Sequence, residues 1–207
     1  MLRKALDIAE LQIAAEKFCK RENGLYRSEL FGITDGKAVG SSAIGLDLPS
    51  VNTDIKVTSI KQQQSSCPFK DSKQKIYGLG YNLIVFVYRK VDDVRRKKGC
   101  LNFLSCTFIE ASRTADYQTT TGLLNIIANN GNVDDIFAFL IDHKIPSDEV
   151  SLMNMAENIL ENPPKVGYLT ISNALQWRLQ YGRIVNLSEP VDGVTQIIKF
   201  SGEEIDL

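Results

Sequence analysis

Two aspartates and a lysine carry the strongest chemical signal in the chain. They are Asp47, Asp54 and Lys56, within the run Asp47-Leu48-Pro49-Ser50-Val51-Asn52-Thr53-Asp54-Ile55-Lys56. If Pro49 to Asn52 form a loop, Leu48 pairs with Thr53 and Asp47 comes opposite Asp54. Cβ atoms opposed in this way lie roughly 4.5–5.5 Å apart. Strand alternation turns Asp54 and Lys56 to one face and Ile55 and Val57 to the other, into a core. The charges are then expected on the exposed side of the strands. Carboxylates held so close repel each other unless something neutralises them. A divalent cation does this, and hard carboxylate oxygens with water completing the shell suit Mg²⁺. Such an ion acidifies water and stabilises charge on a phosphoryl oxygen, while the Lys56 ammonium holds the attacking oxygen. That is the equipment for hydrolysing a phosphodiester. A plainer reading makes Asp47 a turn cap and Asp54–Lys56 a surface ion pair. An acid at hairpin distance, the apolar residues bracketing the triplet and the basic stretch after it weigh against that reading.

The elements that must position these side chains follow from periodicity. Residues 2–22 read as a helix, with Leu2, Leu6, Ala9 and Ile13 at helical spacing and Asn23-Gly24 as a stop. Residues 25–42 are loop-like, broken at Gly32, Asp35-Gly36 and Gly40. Residues 43–60 read as the β-hairpin that carries the candidate site. The apolar run 82–88 has the character of a central strand, and residues 101–110 form a second. From Thr114 to Arg183 the chain reads as mainly helical in about four segments, broken by Pro146, Pro163 and Pro164. This gives an α/β class: a mixed central β-sheet with a catalytic β-hairpin, flanked by helices, and a mostly helical C-terminal half at about 114–185. No linker divides the chain, so a single nuclease domain over 1–207 is expected.

Composition narrows the classes. The 207 residues are 43% hydrophobic and 24% charged, with 24 Lys and Arg against 25 Asp and Glu. That excludes disorder, collagen-like repeats and a coiled coil. No apolar run is long enough to span a membrane, and the N-terminus reads as an amphipathic helix, so a cytoplasmic protein is expected. Cys19, Cys67, Cys100 and Cys106 match no zinc spacing and read as reduced thiols. His143 is the one histidine; beside Lys144 at a probable helix C-terminus it suits the helix dipole better than a nucleophile's base. Charge is unevenly spread: Lys56 to Lys98 holds 11 basic against 3 acidic residues, and Asp134 to Glu161 holds 7 acidic against one lysine. A basic face of this kind suits a polyanion. Arg95-Arg96-Lys97-Lys98 by itself reads as a solvated hairpin tip.

Asp47…Asp54-Ile55-Lys56 resembles the active-site signature of the PD-(D/E)xK nuclease superfamily in its Asp-x-Lys version. The longer stretches TDIKVTSIKQQQSSCPF…QKIYGLGYNLIVFVY and GYLTISNALQWRLQYGRIV are similar to a group of prokaryotic type II restriction endonucleases, over most of the chain from Thr34 to Val185. The resemblance implies a restriction-endonuclease-like fold, Mg²⁺-dependent cleavage of double-stranded DNA, a homodimer, and a functional association with a cognate DNA methyltransferase in a prokaryotic cytoplasm. By motif position, Asp47 and Asp54 would be metal ligands and Lys56 the catalytic lysine. The chain departs from the pattern in three places, one of them the separation of Asp47 and Asp54, seven positions, which is short for the family. Leu-Asp-Leu stands where the family often has Pro-Asp, and no acid lies between Gly40 and Asp47. Glu16 or Glu29 would have to supply the further acid that relatives carry on a preceding helix.

For DNA contact, Lys61, Gln62, Gln64 and Ser65 follow the catalytic strand directly, with Ser66 beside them. Glutamine can grip adenine by two hydrogen bonds, and serine can meet bases or phosphates. Lys61, Lys70, Lys73 and Lys75 are candidates to neutralise phosphates. Arg113 and Thr114 form a second group, with Thr114 or Ser112 capping a helix whose N-terminus would meet phosphate. Gln176-Trp177-Arg178 reads as helical, with Trp177 in a core or a dimer contact. Two alternatives stay open: a repair or recombination nuclease using the same site, and a catalytically impaired DNA-binding relative that has lost the acidic helix.

Overall fold

The computed structural model describes residues 46–48, 51–67, 70–93, 98–172 and 178–199. The expected N-terminal helix and loop, the hairpin residues 43–45, Pro49, Ser50, Arg95 to Lys97, Gln176, Trp177, Glu16 and Glu29 lie outside the described residues. The chain divides into two compact units, each built from non-contiguous segments.

The first unit holds a mixed four-stranded sheet in the order β1-β3-β4-β7. Its strands are β1 (Thr53–Ser59), β3 (Asn82–Asp93), β4 (Lys98–Ile109) and β7 (Val194–Ile198). β1 runs parallel to β3, and β3–β4 and β4–β7 are antiparallel. Leu83, Ile84, Val85, Phe86 and Val87 are all buried. A strand covered on both faces needs a continuous apolar run, which is what residues 82–88 supply. One face of the sheet builds a core from Leu48, Ile55, Ile84, Phe86, Cys106 and Phe108, with Val57 and Phe103 packed against it. Burying each such side chain stabilises the fold by roughly 1.5–3 kcal/mol.

The hairpin expected over 43–60 takes another form. Among the described residues its upstream arm amounts to one antiparallel bridge, Leu48 to Thr53. β1 finds its ladder on β3 instead, from Thr53↔Asn82 to Ser59↔Tyr88. The physical reason is burial: parallel pairing sets Ile55 beside Ile84 and Val57 beside Phe86, continuing the apolar face.

The second unit carries α1 (Lys73–Tyr77), α2 (Tyr117–Ala128), α3 (Val133–Asp142), α4 (Glu149–Glu161) and α5 (Gly182–Val185). It also holds a small antiparallel sheet in the order β2-β6-β5, from β2 (Gln64–Ser66), β5 (Thr170–Ile171) and β6 (Arg178–Gln180). Each of α2, α3 and α4 starts at a side chain that caps it: Asp116, Asn132 and Asp148 accept from Thr119, Asp135 and Ser151 backbone N–H. Ile76, Leu123, Ile136, Leu140, Leu152 and Ile159 form this unit's core. The long helices end at Glu161, where Pro163 and Pro164 follow, and among the described residues beyond it only the four-residue α5 is helical. Arg178, read as helical, opens β6. His143 is the C-cap of α3, its ring stacked on Phe139 at 3.8 Å, in keeping with the structural reading.

Candidate active site

The three residues read as catalytic are gathered by β1 and the turn that leads into it. Leu48 N–H donates to the Thr53 carbonyl at 2.9 Å, and Thr53 N–H returns to the Leu48 carbonyl at 3.1 Å. Asn52 takes φ +50° to close the turn, a conformation asparagine tolerates better than most residues. Asn82, at the start of β3, fastens that turn. Its side-chain amide donates to the Val51 carbonyl at 3.1 Å and to Thr53 Oγ1 at 3.3 Å, and its N–H donates to the Asn52 carbonyl at 2.8 Å.

This brings Asp47 alongside the strand. Asp47 Oδ2 accepts from the Ile55 backbone N–H at 2.9 Å, so its carboxylate lies against the edge of β1 between Asp54 and Lys56. Lys56 Nζ meets Asp54 Oδ2 at 2.7 Å, as strand alternation requires of residues i and i+2. Asp54 and Lys56 therefore share one short stretch of β1, and Asp47, in the segment before it, is held against that stretch. The charges were expected on an exposed face, but the carboxylates are buried. Asp47 is 3% and Asp54 8% exposed, and the Lys56 side chain 20%. The cause is the parallel pairing, which stands Leu83 beside Asp54 and Val85 beside Lys56, both fully buried.

The donor set fits a hard divalent ion. Two carboxylates close to one ammonium supply hard oxygen donors, the type a divalent cation takes. Mg²⁺ is commonly held by one or two carboxylates with waters filling the rest of its shell. Among the described residues no group of three or more His, Cys, Asp or Glu gathers at one place. Lys56 has three N–H donors, of which the Asp54 contact uses one.

The candidate DNA-contacting residues divide between the units. Lys61 and Gln62 are exposed in the turn that ends β1, where Gln62 N–H donates to the Ser59 carbonyl at 3.0 Å. Gln64 lies on β2, and Ser65 turns its hydroxyl to Tyr181 Oη at 2.6 Å. Arg113 is half-buried and donates to the Val166 carbonyl at 3.2 Å.

Three expectations need correction. Thr114 is fully buried; its hydroxyl donates to the Ala111 carbonyl at 2.7 Å and accepts from Leu79 N–H at 2.8 Å, a structural brace and no surface contact. Asp116, not Thr114 or Ser112, caps α2. Lys75, read as a phosphate contact, is buried on α1, and burial pushes its ammonium below the usual lysine range, partly offset by Asp116. Lys70 and Lys73 are exposed. Sequence reasoning also missed β6, although Arg178-Leu179-Gln180-Tyr181 alternates polar with apolar as a strand does.

Residues 39–196 match the family model described as type II restriction enzyme NspV. A relative, the type II restriction enzyme NspV of Nostoc sp. (strain ATCC 29411 / PCC 7524), is 45% identical over an alignment of 214 positions that covers 94% of this chain and 97% of that protein. No solved structure gives a significant match.

Proposed function

The chain belongs to the type II restriction enzyme NspV family, and on that premise we propose that it hydrolyses phosphodiesters of double-stranded DNA at a fixed sequence, with Mg²⁺, at Asp47, Asp54 and Lys56. The observation that carries the assignment is the contact pattern on β1: the Lys56–Asp54 ion pair at 2.7 Å beside an Asp47 carboxylate fixed on the Ile55 amide. The motif is the Asp-x-Lys version of the PD-(D/E)xK signature.

Asp47 and Asp54 would hold the cation, which when bound supplies positive charge against the phosphoryl oxygens. Lys56 orients the attacking oxygen and opposes negative charge as it develops, an interaction stronger in the transition state than in the ground state. Asp54 fixes the Lys56 ammonium, so the lysine needs little reorganisation when charge appears. Leu83 and Val85 keep the surroundings apolar, which strengthens each of these interactions.

Lys61, Gln62, Gln64 and Arg113 are the proposed DNA contacts, the cations on phosphate and the glutamines on bases. A homodimer is proposed because a palindromic site is matched by a two-fold pair. An enzyme that cuts a fixed sequence must spare its own genome, so a cognate DNA methyltransferase in a prokaryotic cytoplasm is the implied companion. No described helix is long and apolar enough to cross a membrane.

Digestion of plasmid DNA tests this. With Mg²⁺ the wild-type protein should give discrete fragments, and chelation should stop cutting. Cutting only at junctions or lesions would favour a repair nuclease. Binding without any cutting, in Mg²⁺ or Mn²⁺, would favour an impaired relative.

A further inference from the structure

The small sheet of the second unit presents a polar face whose residues are fixed by register. Gln64 on β2 stands opposite Gln180 on β6, and Gln180 stands opposite Thr170 on β5. Ser66 stands opposite Arg178. Ser66, Arg178 and Gln180 are exposed and Gln64 and Thr170 half-buried. The alternate residues point inward: Leu179 is fully buried, Ile171 is buried, and Ser65 bonds the buried Tyr181 hydroxyl at 2.6 Å. A slip by one residue would bring Leu179 to the surface, so the outward set is strongly specified. That outward set contains two amides directly abreast, one guanidinium, two hydroxyls and no carboxylate.

We infer that this face is a base-reading surface of the enzyme: Gln180 and Gln64 contact adenine-containing base pairs in the major groove, and Arg178 contacts a guanine. A paired β-ribbon fits the width of that groove. The chemistry of the face matches what the groove displays. The glutamine amide is donor and acceptor at once, as adenine N6 and N7 require, and the arginine fork matches guanine O6 and N7. Side chains abreast on neighbouring strands lie roughly 4.5–5.5 Å apart at Cβ, within reach of adjacent or next-adjacent base pairs. The absence of an acid from the set removes the repulsion that phosphates would otherwise meet. An alternative occupant of the glutamine amides is each other, as a cross-strand structural pair.

This inference rests on the reading of the chain as a site-specific endonuclease, and the experiment separates the two. A library of duplexes with randomised sites is digested in Mg²⁺ by wild type, Gln180→Ala, Gln64→Ala, Arg178→Ala and Arg178→Lys, and the cut ends are sequenced. Wild type should select one sequence. Each alanine variant should cut that sequence roughly 10- to 100-fold more slowly and lose preference at one position, an A·T pair for the glutamines and a G·C pair for Arg178. Arg178→Lys should recover part of the preference. Unchanged profiles and rates in the variants would overturn the inference while leaving the endonuclease reading standing. An equal loss on every sequence would also overturn it, because that marks a phosphate contact. Wild type cutting at no preferred sequence would sink both readings. If Asp54→Asn proved still active, the catalytic assignment would fall while the variant profiles still decided the role of the sheet.

Discussion

Lys56 pairs with Asp54 and is the proposed catalytic lysine, so its removal has two readouts. Lys56→Met leaves the Asp54 carboxylate buried beside Leu83 without its ammonium. Because the lysine side chain is one-fifth exposed, the stability cost should be below that of a fully buried pair, about 1–2 kcal/mol by urea denaturation. Cleavage should fall at least about 1,000-fold, equivalent to about 4 kcal/mol of lost transition-state stabilisation. Lys75 makes a contrasting case. Burial depresses its folded pKa, so between that value and the ordinary lysine range near 10.4 the unfolded chain binds more protons. Its contribution to stability therefore rises with pH across that window and is flat below it. Lys75→Met should abolish the rise: the stability difference between wild type and variant should shift in favour of wild type from about pH 7 to about pH 10. Denaturation curves that stay parallel at the two pH values would contradict this. The placing of Lys56 beside Asp54 was legible in the sequence because i and i+2 on a strand share a face. The burial of Lys75 and Thr114 was not, since both are covered by segments remote in the chain, and nothing in Lys73-Gln74-Lys75 marks which lysine turns inward.

At the scale of elements, the strands with long apolar runs and the helical region were legible, and the short strands were not. The helix caps were not legible either: the sequence reading places the first at Thr114 or Ser112, whereas Asp116, Asn132 and Asp148 start the three helices. β2, β5 and β6 span three, two and three residues, too few for a period, and take their conformation from pairing with each other. β1 was legible as a strand, but its partner was not, because an apolar face does not announce which neighbour will continue it. Asp116 should be costly to remove. Its carboxylate accepts from Thr119 N–H at 2.8 Å, Thr119 Oγ1 at 2.7 Å and Ile171 N–H at 2.8 Å, all buried. Asp116→Ala should lose about 3 kcal/mol or more in chemical denaturation, one cap plus buried donors left unpaired. Gly78 and Gly80 form a matched pair. Both have positive φ, +92° and +83°, but a Cβ on Gly78 would meet the Ala111 carbonyl oxygen at 2.3 Å, whereas one on Gly80 meets nothing within 4 Å. Gly80→Ala should cost about 1 kcal/mol and Gly78→Ala about 2 kcal/mol more, read as thermal melts. Equal melting points would mean that the Gly78 backbone can yield.

For the whole molecule, the basic segment from Lys56 to Lys98 in a chain of net charge −1 makes DNA affinity a matter of local charge. Affinity should fall steeply as salt rises, by about one decade per decade of salt for each phosphate neutralised, and a flat response would mean that the cations are not at phosphates. Sedimentation of the full chain at micromolar concentration should give twice the chain mass, matching a two-fold DNA site. The juxtaposition of Asp47, Asp54 and Lys56, in contrast, could be read from one decapeptide, because it depends on spacing along a single strand and the turn before it. Single-turnover cleavage of the preferred duplex by Asp54→Asn in Mg²⁺ tests that reading most directly, with duplex binding measured in parallel. The account predicts wild-type binding and cleavage slower by about 1,000-fold or more; cleavage at the wild-type rate would show that hydrolysis is done elsewhere in the protein.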